Sequence, residues 1–322
     1  MQTELWNEIQ PMSQYEIIGV MLRNQFQKEQ VKRIDLSYLG STIDTWWTQY
    51  SGRTTDFTAS AELQTLVLKI LSPEHLILIK SVGNDDSKIS AVLSEYVFSL
   101  PDKNLARLVH EVFAKIGGIV DIKYPYEEHK ELYPMNNDQV ASDWGKGYGM
   151  IRPHSDDLYE DRDINAMSLT VFKDTSCTPT WFWPLNDVVS CLSNEELGYF
   201  ALGEGTFFSG TNVEGKTIQN KKPLLRRDSV EGFGLRMDFR IDDAIGPRLR
   251  FSDSKLQEIF EKMRVGFRAL KPISTNPSTG SVSILSNFKV LHGRSALNPV
   301  MLYEGETSRV LFRSKGIKLG AI

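Results

Sequence analysis

The chain has 322 residues, of which 41% are hydrophobic and 24% charged; that is ample apolar material for a core and excludes a disordered protein. Its 37 Lys and Arg against 41 Asp and Glu give a formal charge of -4, which excludes the clustered basic surface of a nucleic-acid-binding protein. No apolar run reaches the ~20 residues that span a bilayer, and Glu4, Trp6 and Glu8 stand where a signal peptide would be basic and then apolar, so no membrane association and a cytoplasmic location are expected.

The first part reads as helix-rich, with apolar residues at helical spacing in Tyr15 to Phe26, Leu63 to Leu71 and Asn104 to Ile116. Between them Leu76-Ile77-Leu78-Ile79-Lys80 follows Pro73 as a short apolar run and is expected to be a buried strand. From Tyr124 to Lys146 neither period holds, which predicts a long loop, and such loops are often lids. Strands are expected at Tyr148 to Arg152, Ala166 to Phe172, Thr206 to Ser209, Phe233 to Ile241, Ser281 to Leu285 and Ser308 to Phe312. Helices are expected at Leu185 to Phe200, with a second start at Ser193-Asn194-Glu195-Glu196, and at Ser254 to Leu270.

Lys221, Lys222, Arg226 and Arg227 read as a solvated hairpin or loop. Cys177 and Cys191 belong to no CxxC pair and are expected to be reduced thiols. No Pro-, Gly- or Ser-rich linker divides the chain, so one domain over 1–322 is expected. Its helix-rich part, about 1–145, braces a strand-rich core at about 146–315. Many short strands with few helices between them make the fold class mainly β with flanking helices (α+β), around a double-stranded β-helix, or jelly roll, with an open mouth.

His154-Ser155-Asp156 follows an expected strand, and residues i and i+2 of an extended segment face one side, so both side chains can approach one ion. Near the C-terminus a strand, a turn with Asn287 and a second short strand lead into His292-Gly293-Arg294. Two neutral imidazoles and a carboxylate can hold one face of a non-haem ferrous iron, leaving the opposite positions open. Alternation also places Arg309 and Arg313 on one face of the next strand, where two guanidinium groups would bind carboxylates. Standing alone, His154-Ser155-Asp156 reads as part of an exposed acidic loop with Asp157, Glu160, Asp161 and Asp163, and the two arginines read equally as surface residues. His75, His110 and His129 lack partners at ligand spacing and read as structural, and Trp181-Phe182-Trp183 as core.

These motifs together resemble the iron(II) and 2-oxoglutarate-dependent oxygenases, specifically the clavaminate synthase-like group with its amino-acid hydroxylases, and more distantly taurine dioxygenase. The resemblance covers Leu76 to Arg313. It implies that His154, Asp156 and His292 are the iron ligands and that Arg309 and Thr180 bind 2-oxoglutarate. It also implies that Arg313 takes the substrate carboxylate, and that Asp238, in Arg236-Met237-Asp238, meets a substrate amino or guanidino group. Asp156 stands where many clavaminate-like members have Glu, a choice shared with the taurine enzyme.

The implied activity is oxidation of an unactivated C–H bond with Fe(II), 2-oxoglutarate and O2, releasing succinate. A carboxylate ligand at Asp156 occupies the position a halide would need, so hydroxylation, or a related desaturation or cyclisation, is expected over halogenation. The expected substrate is a small-molecule amino acid or derivative, free or carrier-tethered; Asp157 to Asp163 with Asp238 make a basic one an option. The alternatives are a taurine-type dioxygenase acting on another small anion and a non-catalytic jelly-roll binding protein.

Overall fold

In the computed structural model the described residues are 12–50, 57–96, 100, 102–122, 131–132, 149–210, 217–229, 231–275, 279–297 and 309–318. The expected loop at Tyr124 to Lys146 lies outside them except for Glu131 and Leu132, as do Tyr148 at the start of its strand, Ser308, His129, and Glu4, Trp6 and Glu8.

Side-chain caps open several of the helices. In α1 (Gln14–Phe26) the Ser13 hydroxyl accepts from the Glu16 N–H at 3.1 Å. Strand β1 (Gln30–Asp35), α2 (Gly40–Tyr50) and α3 (Phe57–Ile70) follow. Residues Leu76 to Lys80 are then helical, not a strand: they lie in α4 (Pro73–Ser81), where Ser72 caps the His75 N–H and Pro73 occupies the first turn. An apolar run of four has no period of its own, and the Ser-Pro-Glu start decides the matter. After β2 (Ile89–Tyr96) comes α5 (Lys103–Ile116), capped by Asp102.

The rest is mostly strand: β3 (Ile119–Asp121), β4 (Glu131–Leu132), β5 (Ile151–His154), β6 (Ala166–Asp174) and β7 (Thr180–Pro184). The helix expected at Leu185 to Phe200 is split at its second start. A short α6 (Leu185–Val188) precedes α7 (Asn194–Leu202), which opens on a reciprocal Ser193–Glu196 capping box. Next come β8 (Glu204–Phe208), β9 (Gln219–Pro223), β10 (Leu225–Asp228) and β11 (Gly232–Leu235). The strand expected at Phe233 to Ile241 therefore ends at Leu235. Three two-residue strands, β12 (Ile241–Asp242), β13 (Gly246–Pro247) and β14 (Leu249–Arg250), lead to α8 (Ser254–Gly266). The chain closes with β15 (Ile273–Ser274), β16 (Val282–Ser286), β17 (Val290–Arg294) and β18 (Arg309–Lys318).

The architecture is mixed α/β and strand-rich. The larger sheet has the order β1-β2-β16-β6-β18-β3, with β4 also on β18, and is antiparallel except for β1 on β2. A four-stranded antiparallel sheet has the order β15-β7-β17-β5. Alternation assigns each strand residue to a layer. Val92, Ile284 and Phe312 of the large sheet pack with α5 and the other N-terminal helices, whereas Leu93, Met167, Leu169 and Leu285 meet Phe182 and Val290 of the small sheet. Trp183 and Leu291, on the far side of the small sheet, pack with α1, α7 and α8. The small sheet is thus sandwiched, and its inward face carries the site.

Lys221, Lys222, Arg226 and Arg227 lie on β9 and β10, each in an antiparallel pair, and the expectation of solvation holds only for Lys221 and Arg227, which are exposed. Lys222 is only 8% exposed and meets Asp163 at 2.9 Å, and Arg226 meets Glu231 at 2.6 Å. His110 is fully buried, its ring nitrogens 3.0 Å from Thr170 Oγ1 and 2.9 Å from Ser314 Oγ, which ties α5 to β6 and β18. Both cysteines are free thiols. Among the described residues no helix is long and apolar enough to cross a membrane.

Candidate metal and cosubstrate site

Strand pairing, more than sequence proximity, brings the two histidines together. In the β17–β5 ladder His292 stands directly opposite His154, with ring centroids 4.3 Å apart. Strand β5 is an edge of its sheet, which tolerates Pro153 and its missing N–H. Gly293 is required between His292 and Arg294, because a Cβ there would overlap the Ile151 carbonyl oxygen of β5. Beyond β5 the chain is held by the Ser155 N–H donating to the Met237 carbonyl at 2.9 Å, and turns at Asp157 through a φ of 56°. Asp156 sits between these two points.

The Asp156 carboxylate closes the set. Its Oδ1 is 3.3 Å from His154 Nε2 and its Oδ2 3.9 Å from His292 Nε2, and one ligand atom from each of the three residues lies within 4.8 Å of the others. All three residues are buried. His154 Nδ1 lies 2.8 Å from the Arg152 carbonyl, which can only accept, so with a metal bound the proton would sit on Nδ1 and leave Nε2 as the ligand atom. Burial, with His154 alongside, holds the His292 imidazole well below its ordinary range, in the neutral form a ligand needs. For Asp156 burial opposes ionisation, but the Arg313 guanidinium, followed by the neighbouring His154 and His292, outweighs it and holds the carboxyl well below the usual carboxylate range. Two imidazoles and one carboxylate on one side of a buried space fit a ferrous ion, and this is the donor set of a facial triad.

Arg309 and Thr180 also meet. Arg309 Nη2 donates to Thr180 Oγ1 at 3.0 Å, and its Nε to Asp174 Oδ2 at 3.1 Å. Thr180 shares a strand face with Phe182, which pairs with His292, so the guanidinium and the imidazole open on the same side of the small sheet. Arg313 lies at the metal set itself, where Nη1 donates to Asp156 Oδ2 at 3.0 Å. Asp238 bridges to His154 in the backbone, but its side chain is clamped by Arg240, with Nε to Oδ1 at 2.9 Å and Nη2 to Oδ2 at 2.7 Å.

Two more acidic residues expected to meet a basic substrate are engaged by cations, Asp157 by Lys315 at 2.5 Å and Asp163 by Lys222 and Arg236, while the exposed Asp161 accepts from Asn220 at 3.1 Å. Sequence reasoning did not identify Arg240, whose Nη1 stands 4.0 Å from Asp156 Oδ1, Lys315, or the role of Asn287, which binds the Asp156 backbone. The Arg-x-Asp-x-Arg alternation of 236, 238 and 240 is the one local signal that three alternate positions form a charged stripe.

No family model matches the chain, and no curated protein sequence does. Solved structures do. An asparagine oxygenase in complex with Fe(II), 3-hydroxyasparagine and succinate superposes with a TM-score of 0.64 at 14% identity, over 89% of this chain and 93% of that one. The non-heme iron oxygenase OrfP in complex with Fe and alpha-ketoglutaric acid gives 0.65 at 14% identity, over 90% and 95%. OrfP with Fe, succinate and (3S)-hydroxy-L-Arg gives 0.62 at 13% identity, over 90% and 95%. Over about nine-tenths of its length the chain has the fold of these oxygenases.

Proposed function

We propose that the protein is an iron(II) and 2-oxoglutarate-dependent oxygenase that hydroxylates an unactivated C–H bond of a free amino acid. The observation that carries this reading is the convergence of His154, Asp156 and His292 on the same inter-sheet face as the Arg309–Thr180 pair. The fold neighbours support it, since their complexes hold iron, alpha-ketoglutaric acid or succinate, and hydroxylated asparagine or arginine. The reading includes a double-stranded β-helix core within a single domain over 1–322, and a cytoplasmic location.

Bound iron, 2-oxoglutarate and O2 would supply the oxidising chemistry, with succinate as the by-product. His154, Asp156 and His292 would hold the metal by one face. Arg309, steadied by Asp174, would fix the distal carboxylate of the cosubstrate with Thr180 beside it, so that its keto-acid end reaches the metal. Arg313 and Asp238 would face the substrate's carboxylate and amino groups. In the structure Arg313 is bonded to Asp156 and Asp238 to Arg240, so a substrate must share or displace those partners.

The test is anaerobic titration with ferrous iron and 2-oxoglutarate, followed by an amino-acid panel and air. A visible charge-transfer band discharged with succinate release by one amino acid is the expected result. Folded protein that forms no band and releases no succinate with any amino acid would overturn the reading. Carrier-tethered amino acids in the same panel distinguish that form of substrate from the free acid.

A further inference from the structure

We infer that Asn287 is a positioning residue for the metal set, acting through the backbone of Asp156. Asn287 is wholly buried in the turn between β16 and β17, where Ser286, Asn287, Phe288 and Lys289 are all at most 1% exposed. Its carboxamide makes three hydrogen bonds to one loop. Oδ1 accepts from the Asp156 N–H at 2.8 Å, and Nδ2 donates to the Asp156 carbonyl and to the Ile164 carbonyl, each at 3.0 Å.

One amide therefore holds both peptide groups that flank the Asp156 side chain, and also the far end of the loop that leaves it. With both groups fixed, the direction in which the Asp156 Cα–Cβ bond points is fixed too. The same turn runs into β17, which carries His292 five residues on, and β17 pairs with β5, which carries His154. Asn287 thus sets the distance between the carboxylate and both imidazoles, from behind and without touching a metal. Only a carboxamide has the one acceptor and two donors this arrangement uses, and an apolar side chain would leave three buried backbone groups unpaired.

This inference rests on the proposed function only in requiring that the three side chains bind a divalent metal. It is tested with Co2+ as an optical probe, independently of turnover. Asn287→Ala, confirmed as folded by circular dichroism, is expected to bind Co2+ about ten- to hundredfold more weakly and with shifted d–d bands, the usual cost of losing a partner that orients a ligand. Gly198→Ala, which disturbs helix packing away from the site, is expected to lose stability but bind Co2+ with parental affinity and spectrum. A folded Asn287→Ala variant with parental affinity and spectrum would overturn the inference.

Should the alanine variant fail to fold, Asn287→Ser is judged by the same two readouts. Failure of both to fold would make the residue a folding determinant and would also overturn it. A parent protein that binds no Co2+ would instead remove the oxygenase reading.

Discussion

Arg309 is bonded to Thr180 and to Asp174 at once, and the Asp174 side chain is fully buried, so substituting Arg309 has two separable effects. Arg309→Ala is expected to raise the apparent KM for 2-oxoglutarate roughly ten- to hundredfold, the loss of a charge-assisted hydrogen bond. It also leaves a buried carboxylate without its cation, which costs on the order of 3 to 5 kcal/mol of stability. Asp174→Asn should retain most of the cosubstrate affinity, and succinate assays with urea melts on both variants separate the two effects; equal KM values for Arg309→Ala and the parent would remove the arginine from the site. Glu231 makes a prediction of a different kind. Burial pushes its carboxyl up to about 7, from 4.5, despite Arg226 at 2.6 Å. Below pH 4.5 folded and unfolded chains both hold the proton, whereas between 4.5 and about 7 only the folded chain does, so this group lowers stability as pH rises. Glu231→Gln lacks that slope. The stability of the variant relative to the parent should therefore climb by about 3 kcal/mol from pH 4.5 to 7.5, read from urea midpoints; a flat difference would show that the carboxyl titrates normally.

Helices α1 and α7 cross through two glycines that face each other's backbone. A Cβ on Gly19 would overlap the Asn194 carbonyl oxygen, and one on Gly198 the Tyr15 carbonyl oxygen, while Arg23 ties the pair together by bonding Asn194 Oδ1 at 2.8 Å and the Leu192 carbonyl at 2.7 Å. Gly19→Ala and Gly198→Ala are each expected to cost about 1 to 3 kcal/mol by forcing the helices apart. Because either one separates the same pair, the double variant should lose less than the sum of the two, and denaturant midpoints that add would contradict a shared crossing. Neither glycine stands out in the sequence, since the contact each makes is with a distant backbone. The same reason limited the reading elsewhere. Local chemistry was legible: Ser193 with Glu196 announced the start of α7, and the short runs with β-branched or aromatic residues in β6, β16 and β18 announced strands. In α4 two local signals conflicted, and the cap outweighed the apolar run. At the site, the residue types and spacings of His154, Asp156 and His292 were legible because each lies in a short motif. The hydrogen bonds of Asn287 to residue 156 and of Asp238 to Arg240 are set by tertiary register and by choice among side-chain partners, which a linear pattern does not encode.

Across the whole molecule, the three candidate ligands tie an edge strand, the loop after it and the inner strand β17 into one unit. That unit exists only in the folded chain, so a metal bound there must stabilise folding by mass action, and by an amount that depends on its free concentration. At a hundredfold excess over the dissociation constant the gain is about 2.7 kcal/mol. Thermal unfolding followed anaerobically should therefore shift upward with ferrous ion and return to the metal-free midpoint with a chelator. His154→Ala and His292→Ala should unfold near the metal-free midpoint of the parent and ignore both additions. Their packing is preserved because the small sheet is sandwiched by Phe182 and Val290 on one side and Trp183 and Leu291 on the other, not by the imidazoles. Adding 2-oxoglutarate should raise the parent's midpoint further only when iron is present, because one end of the cosubstrate needs the metal and the other Arg309. A midpoint that rises with 2-oxoglutarate alone would place its binding elsewhere, and one that rises equally in the histidine variants would mean that the metal acts outside this set.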